Sequence, residues 1–503
     1  MIDPSELFSN LNVSVFHEPQ LDYPSKPPYD PSSSYPEYVI HDIAKENNGV
    51  YAAVRNTFVL LGLDKGSFGT SKWNPLKGII QPGETVVIKP NFVLSSHANG
   101  GELFSIITHP SIIRPLVDYA YITLQGKGKI IIADAPQMDC NFDELLEKTH
   151  LNSIRELYKK KLGFDIVIYD LRNFWLDNQA GSKNSYFKNR HTLSGDPSGS
   201  VPVNLGKKSM FHGLGNRNFY GADFNRNETK KHHHDNMQEY LISKTILSAD
   251  VVISVPKLKV HKKIGVTLNL KGMVGINTNK NYLVHYQIGS PSKGGDQFPD
   301  GVLSPKAKAV IKLQRLGFDL FLARPNKFTD SLYNLSAKIG KKLLKTQKAS
   351  DWITIDNGDW HGNDSTWRMV EDLFRIFVYA DKSGILQDKP ARRTFCLVDG
   401  VIGGEGEGPL TPDSKKCGLI MAGFNPCAVD LVCTRLMGFD YKKMSLFTHI
   451  LSNPDQFKIN LSQIVINSNG AFINVFDPCN KSKYFNFAPP IGWKGHIEIE
   501  EIE

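Results

Sequence analysis

Short, nearly continuous apolar runs recur along the chain and stop at polar residues. TVVIK ends at Lys89, KIIIA before Asp134, DIVIY before Asp170, VVISV before Pro256, TFCLV before Asp399, and GLIMAG shortly before Asn425. Runs of this length without alternation predict strands buried on both faces, and several lead into stretches with helical spacing. The expected fold is α/β: a mixed, largely parallel sheet flanked by helices, in two lobes with a cleft at the strand carboxyl ends. Thr108-His109-Pro110 predicts the start of a helix over Ser111 to Leu124, and Asn425-Pro426 reads as a helix cap with proline in the first turn.

The pattern divides the chain into four parts. Residues 1–48, rich in Pro, Ser and Tyr, predict an extended arm; 49–300 form the main α/β portion, 301–350 a basic helical insertion, and 351–503 a second α/β portion that completes the cleft. With 503 residues and 41% hydrophobic content there is ample material for a large core. The first Lys or Arg is Lys26 and no apolar run is long enough to span a membrane, so a cytoplasmic location is expected.

Charge adds one local feature. Between Gly301 and Ser350 eleven Lys or Arg face two Asp, which leaves the rest of the chain nearly neutral. That argues against a nucleic-acid partner. The helical spacing of 304–348 is compatible with an ordinary solvated face, or with peripheral docking on anionic lipid at the inner membrane face or on an acidic protein. Six cysteines without a CxxC pair point to reduced core thiols and give no basis for an iron–sulfur cluster.

Candidate chemistry concentrates between Ala249 and Gly275. Lys257, Lys259 and His261 alternate on the expected exit from a strand, and Thr267, Asn269 and Lys271 repeat the spacing, so each set can share a face. Lys271 lies between Leu270 and Gly272, where an unpaired ammonium is costly and a partner or ligand is expected. At strand ends, where α/β sheets bind ligands, stand Lys89, Asn91, Asp134 and Asp399.

The resulting expectation is a site for a small anionic ligand. His261, Lys271 and Lys257 are the catalytic candidates, His261 because an unperturbed imidazole titrates near neutral pH. Lys89, Asn91, Thr108, His109, Lys259, Thr267, Asn269, His285 and Arg368 are candidates for holding the substrate. Asp134, Asp399 and Glu405, the last in a Gly-rich loop, are counter-carboxylates or ligands for a divalent cation; no other cofactor is indicated. Nothing matches a P-loop, which disfavours phosphoryl transfer.

The segments VVIKPNFV (86–93), THP (108–110), ADVVISVPKLKVHKKIGVTLNLKGMVGI (249–276), NYLVHYQIGSPSKGGDQFP (281–299), GDWHGNDSTWRM (358–369), VDGVIGGEGEGPL (398–410) and NPCAVDLVCTRLMGF (425–439) resemble the domain of unknown function family 362. The resemblance covers most of residues 80–440 and is nearest to a subgroup met in bacterial surface-polysaccharide gene neighbourhoods; the ferredoxin-like cysteine cluster of some relatives is missing. The layout is also similar to that of the nickel-pincer lactate racemase family, near whose ligand- and cofactor-contacting positions Lys257, His261 and Lys271 would fall, without that family's paired catalytic histidines. Two functions are compatible with these features. One is an enzyme acting by Lys/His acid–base chemistry on a carboxylate, a phosphate-bearing sugar or a nucleotide-sugar. The other is a non-catalytic scaffold that binds a polysaccharide precursor and docks through the basic helices.

Overall fold

All six apolar runs enter one sheet in the computed structural model, which describes residues 2–177, 190–214, 218–222, 225–302, 304–324, 357–470 and 484–500, with isolated positions between 326 and 339 and between 472 and 477. In chain order its strands are β1 (Asn12–His17), β2 (Thr85–Pro90), β3 (Lys129–Asp134), β4 (Val167–Asp170), β5 (Val251–Val255), β6 (Lys257–His261), β7 (Gly265–Val266), β8 (Arg393–Glu407), β9 (Thr411–Gly423) and β10 (Val465–Ser468). Side by side they run β10-β1-β9-β8-β5-β2-β3-β4, with β6 on β8 and β7 on β6. The block from β8 through β5, β2 and β3 to β4 is parallel, whereas β9 runs antiparallel to both β8 and β1. The fold is thus α/β, with a mixed, mostly parallel main sheet flanked by helices.

Continuous apolar runs were required because both faces of the parallel block are covered. Val86, Ile88, Ile130, Ile132, Val251 and Ile253 point into a core shared with the helices Gly49–Leu60 and Pro110–Leu124. Their neighbours Val87, Ile131, Ala133 and Val252 point to the opposite core, packed by the helices Thr366–Tyr379 and Pro426–Leu436. Successive strand side chains alternate in direction, so a strand between two cores has no polar side to present.

Part of the stretch read as an arm is a strand. Asn12–His17 pairs with β9 on one side and β10 on the other, and Tyr23, in the segment after it, donates to Asp399 of β8. The helix after Thr108 begins as expected, but its cap is His109, whose Nδ1 accepts the Ser111 N–H. Asn425 caps Pro426–Leu436 by accepting from Cys427 and Ala428. Of the basic segment, the helix Pro305–Ala323 is described; residues 340–356 lie outside the described residues, as do residues 181–189. Cys140, Cys396, Cys417, Cys427 and Cys433 are buried free thiols, and Cys479 lies outside the described residues.

Candidate functional site

At the carboxyl ends of β2 and β3 the chain encloses a cavity of about 280 Å³. Asn91–Val93 follow β2 into its wall, as do Asp134, the last residue of β3, and Ala135–Met138 after it. After Pro256 the chain continues past the end of β5 as β6, which pairs with β8 through a shift in register. Lys257, Lys259 and His261 stand on one face of β6, as the alternation predicts, but meet different surroundings.

Lys257 does not line the cavity. Its fully buried ammonium lies 3.2 Å from Asp399 Oδ2 and donates to Tyr23 Oη at 2.6 Å. The Tyr23 hydroxyl in turn donates to Asp399 Oδ1, and Asp399 Oδ2 accepts the His109 N–H at 2.9 Å. The His109 ring stacks on Tyr23, 4.1 Å between centroids. This group fastens the N-terminal segment to the sheet.

Lys259 does reach the cavity. Its Nζ donates to the Ile106 carbonyl at 2.6 Å, and burial next to Lys271 and Lys257 pushes its ammonium well below the usual lysine range. His261 comes next, at the turn into β7. Its Nδ1 accepts the Lys263 N–H at 3.1 Å, which assigns the proton to Nε2. Burial and the neighbouring Lys271 and Lys263 push His261 well below its ordinary value, so at neutral pH it is an uncharged imidazole. The expectation of an unperturbed histidine is corrected accordingly.

The tight turn after β7 places Lys271. Leu268 takes a left-handed backbone conformation, φ 45°, costly for a leucine and held here by burial of its side chain and by Asp430. The Asp430 carboxylate accepts from the Asn269 and Leu270 N–H groups and from the Asn269 side chain, anchoring the short helix Leu268–Gly272. Asn269 therefore serves this anchor and is not on the cavity wall. Lys271 is on it. No hydrogen bond or ion pair holds its ammonium among the described residues, and burial, Lys263 and Lys89 bring it down to about 7.

The rest of the wall comes from distant segments. Lys280 donates to the Ala135 carbonyl at 2.8 Å and is also brought down to about 7, mainly by burial. His285 faces the cavity from the strand Val284–Gln287; its Nδ1 lies 3.1 Å from the Leu283 carbonyl, which makes Nδ1 the donor and leaves Nε2 bare. Lys263 pairs with Asp359 at 2.6 Å and Lys262 with the same carboxylate at 2.9 Å. Thr267 Oγ1 and Asn91 Oδ1 are buried with no hydrogen-bond partner among the described residues. The wall thus holds five lysines, 259, 262, 263, 271 and 280, against two aspartates, 134 and 359. Apolar contacts come from Phe92, Val93, Met138, Val274 and Leu410.

Several expected ligand groups are engaged elsewhere. Lys89 pairs with Asp134 at 2.8 Å, beneath Gly275, where a β-carbon would sit 1.9 Å from the Asp134 carboxylate. Thr108 bridges β2 and β5 by accepting the Asn91 N–H and donating to the Val255 carbonyl. Arg368 pairs with Asp364, which lies just before the helix that carries Arg368. Glu405 is held by Lys415 and the Ala488 N–H. Asp134, Asp399 and Glu405 do not meet, and no group of three or more His, Cys, Asp or Glu is placed to hold a metal ion among the described residues. Among the residues not anticipated were Lys262, Lys263, Lys280, Tyr286 and Asp359. Lys263 continues the alternation of 257, 259 and 261, which was a usable signal; Lys280 carried none.

Fold and site describe an α/β protein with a lysine-lined cavity at the carboxyl ends of its parallel strands. Residues 194–435 match the family described as Domain of unknown function (DUF362), a span that includes β5 to β9 and the stretch carrying Lys259, His261 and Lys271. No curated protein and no solved structure matches the chain.

Proposed function

We propose that the chain is an enzyme acting on a small anionic molecule held in this cavity, with Lys271 and the imidazoles of His261 and His285 as its acid–base groups. The observation that carries this reading is Lys271: a buried ammonium on a cavity wall with no carboxylate of its own, beside the unused oxygens of Thr267 and Asn91. A buried charge without a partner is expensive unless a ligand supplies the counter-charge. Lys259, Lys263 and Lys280 strengthen the field in the same volume.

The two imidazoles offer complementary functions. His261 presents an N–H and His285 a lone pair, so one can donate a proton while the other accepts one. Lys271, titrating near neutrality, can take either role. This supports isomerase- or lyase-type proton transfer next to a carboxylate or phosphate. Phosphate-bearing sugars and nucleotide-sugars are the first substrates to try, on the strength of the resemblance to the polysaccharide-associated subgroup. The scaffold reading uses the same pocket without turnover.

The test is thermal-shift screening of phosphorylated and carboxylated sugars against the wild type, Lys271→Met and His261→Gln, followed by turnover assays on any hit. A hit that Lys271→Met loses, and that His261→Gln still binds but does not convert, supports the enzyme. Equal binding by Lys271→Met would rule out the site, and binding without conversion by the wild type would favour the scaffold.

A further inference from the structure

The helix Pro305–Ala323 has one face in the protein and an opposite face that nothing among the described residues covers. Ala307, Val310, Ile311, Phe321 and Leu322 are buried, whereas Leu313, Leu316 and Leu320 are 56, 54 and 48% exposed. At 3.6 residues per turn these three leucines form one stripe, extended toward the N-terminus by exposed Ala309. Lys308 and Lys312 fall along one edge of the stripe, Lys306 and Arg324 along the other. The trend continues beyond the helix: seven of the fifteen large exposed hydrophobic side chains among the described residues lie between 313 and 339, with Phe328 at 74%. This is a local concentration, not general surface noise.

We propose that this face docks on a bilayer containing anionic lipid, lying flat with the leucines in the acyl boundary and the flanking cations at the headgroups. An apolar stripe bordered on both sides by Lys and Arg fits the interface of an anionic membrane. A second copy of the chain fits it poorly, because the helix's one acid, Asp319, is turned inward to Tyr220 and Arg226, so self-pairing would bring cationic borders together. No helix among the described residues is long and apolar enough to cross a membrane, so the contact is superficial.

The docked helix also touches the cavity wall. Arg315 leaves its inner face to donate to Tyr286 Oη and, at 2.9 Å, to Asn357 Oδ1, and both partners line the cavity. Membrane attachment would therefore hold the anion site at the bilayer surface, within reach of a headgroup or lipid-linked phosphate.

The test is sedimentation of the full chain with vesicles of phosphatidylcholine alone and of phosphatidylcholine and phosphatidylglycerol in equal parts. Binding only to the anionic vesicles, weakened by salt and reduced about 100-fold in Leu313→Ser/Leu316→Ser/Leu320→Ser, is the expected result. Because those leucines are exposed, the triple variant should fold, and its thermal midpoint checks that. No binding to anionic vesicles, or equal binding by the triple variant, overturns the proposal. So does a lipid-free dimer that the triple variant dissolves, since a second copy would then cover the stripe. Binding of soluble anions in the cavity should be unchanged by the triple variant, so a failure here and a failure of the cavity reading are separable.

Discussion

Lys257 and Lys271 lie fourteen positions apart in one stretch of sequence, both buried, yet they do opposite things. Lys257 is enclosed by Asp399 and Tyr23 and serves as a rivet. Lys271 is left with cationic neighbours and an open volume before it. A buried lysine is therefore informative only once its counter-charge has been located: where the protein supplies one the residue is structural, and where it does not the residue is the place to test for a ligand.

Removing the Lys257 counter-charge gives the largest expected effect. Asp399→Ala should cost about 3–5 kcal/mol in urea unfolding, because it strands a buried ammonium. Next comes Gly275→Ala, whose methyl group would collide with the Lys89–Asp134 pair; a loss of about 2–4 kcal/mol is expected, with weakened anion binding measured by calorimetry. Lys271→Met should go the other way, raising stability by about 1 kcal/mol while abolishing anion binding. If it destabilised the protein as Asp399→Ala does, the contrast between the two lysines would collapse.

Titration sharpens the same contrast. Lys271 and Lys280 are both lowered to about 7, so they are charged below that pH and neutral above it. Affinity for an anion of fixed charge should be greatest below pH 7 and fall by up to about tenfold per unit above it. Without ligand, these two groups make the chain more stable as pH rises from about 7 toward 10.5, since the unfolded chain then holds protons the folded one has released. The smallest effect is Tyr23→Phe, which removes hydroxyl bonds from the rivet but leaves its ion pair; about 1 kcal/mol is expected from unfolding curves.

The parallel block was legible because burial on both faces leaves an unambiguous trace, an unbroken apolar run such as Ile130–Ala133. The strand Asn12–His17 was not, since NVSVFH is short, partly polar and followed by a proline-rich segment, and its pairing depends on β9. For the site, alternation identified Lys259 and His261, and the apolar setting of Lys271 singled it out. What spacing could not reveal was pairing across the fold: that Asp399 belongs to Lys257, that Asp134 belongs to Lys89, or that Lys280 and Asp359 arrive from elsewhere. Those partnerships decide which polar residues remain available, and they depend on three-dimensional neighbours.

The place of β1 in the sheet has a temporal side. Ser14 bonds the Ala422 carbonyl across 408 residues of chain. During synthesis at about 5–20 residues per second, β1 waits roughly 20–80 s for the strand beside it. Throughout that interval β1 is an unsatisfied edge, and the Tyr23 rivet that follows it stays incomplete until Lys257 and then Asp399 have been made. The segment that looks most peripheral in the sequence is among the last to be secured, because its partners β9 and β10 lie far along the chain.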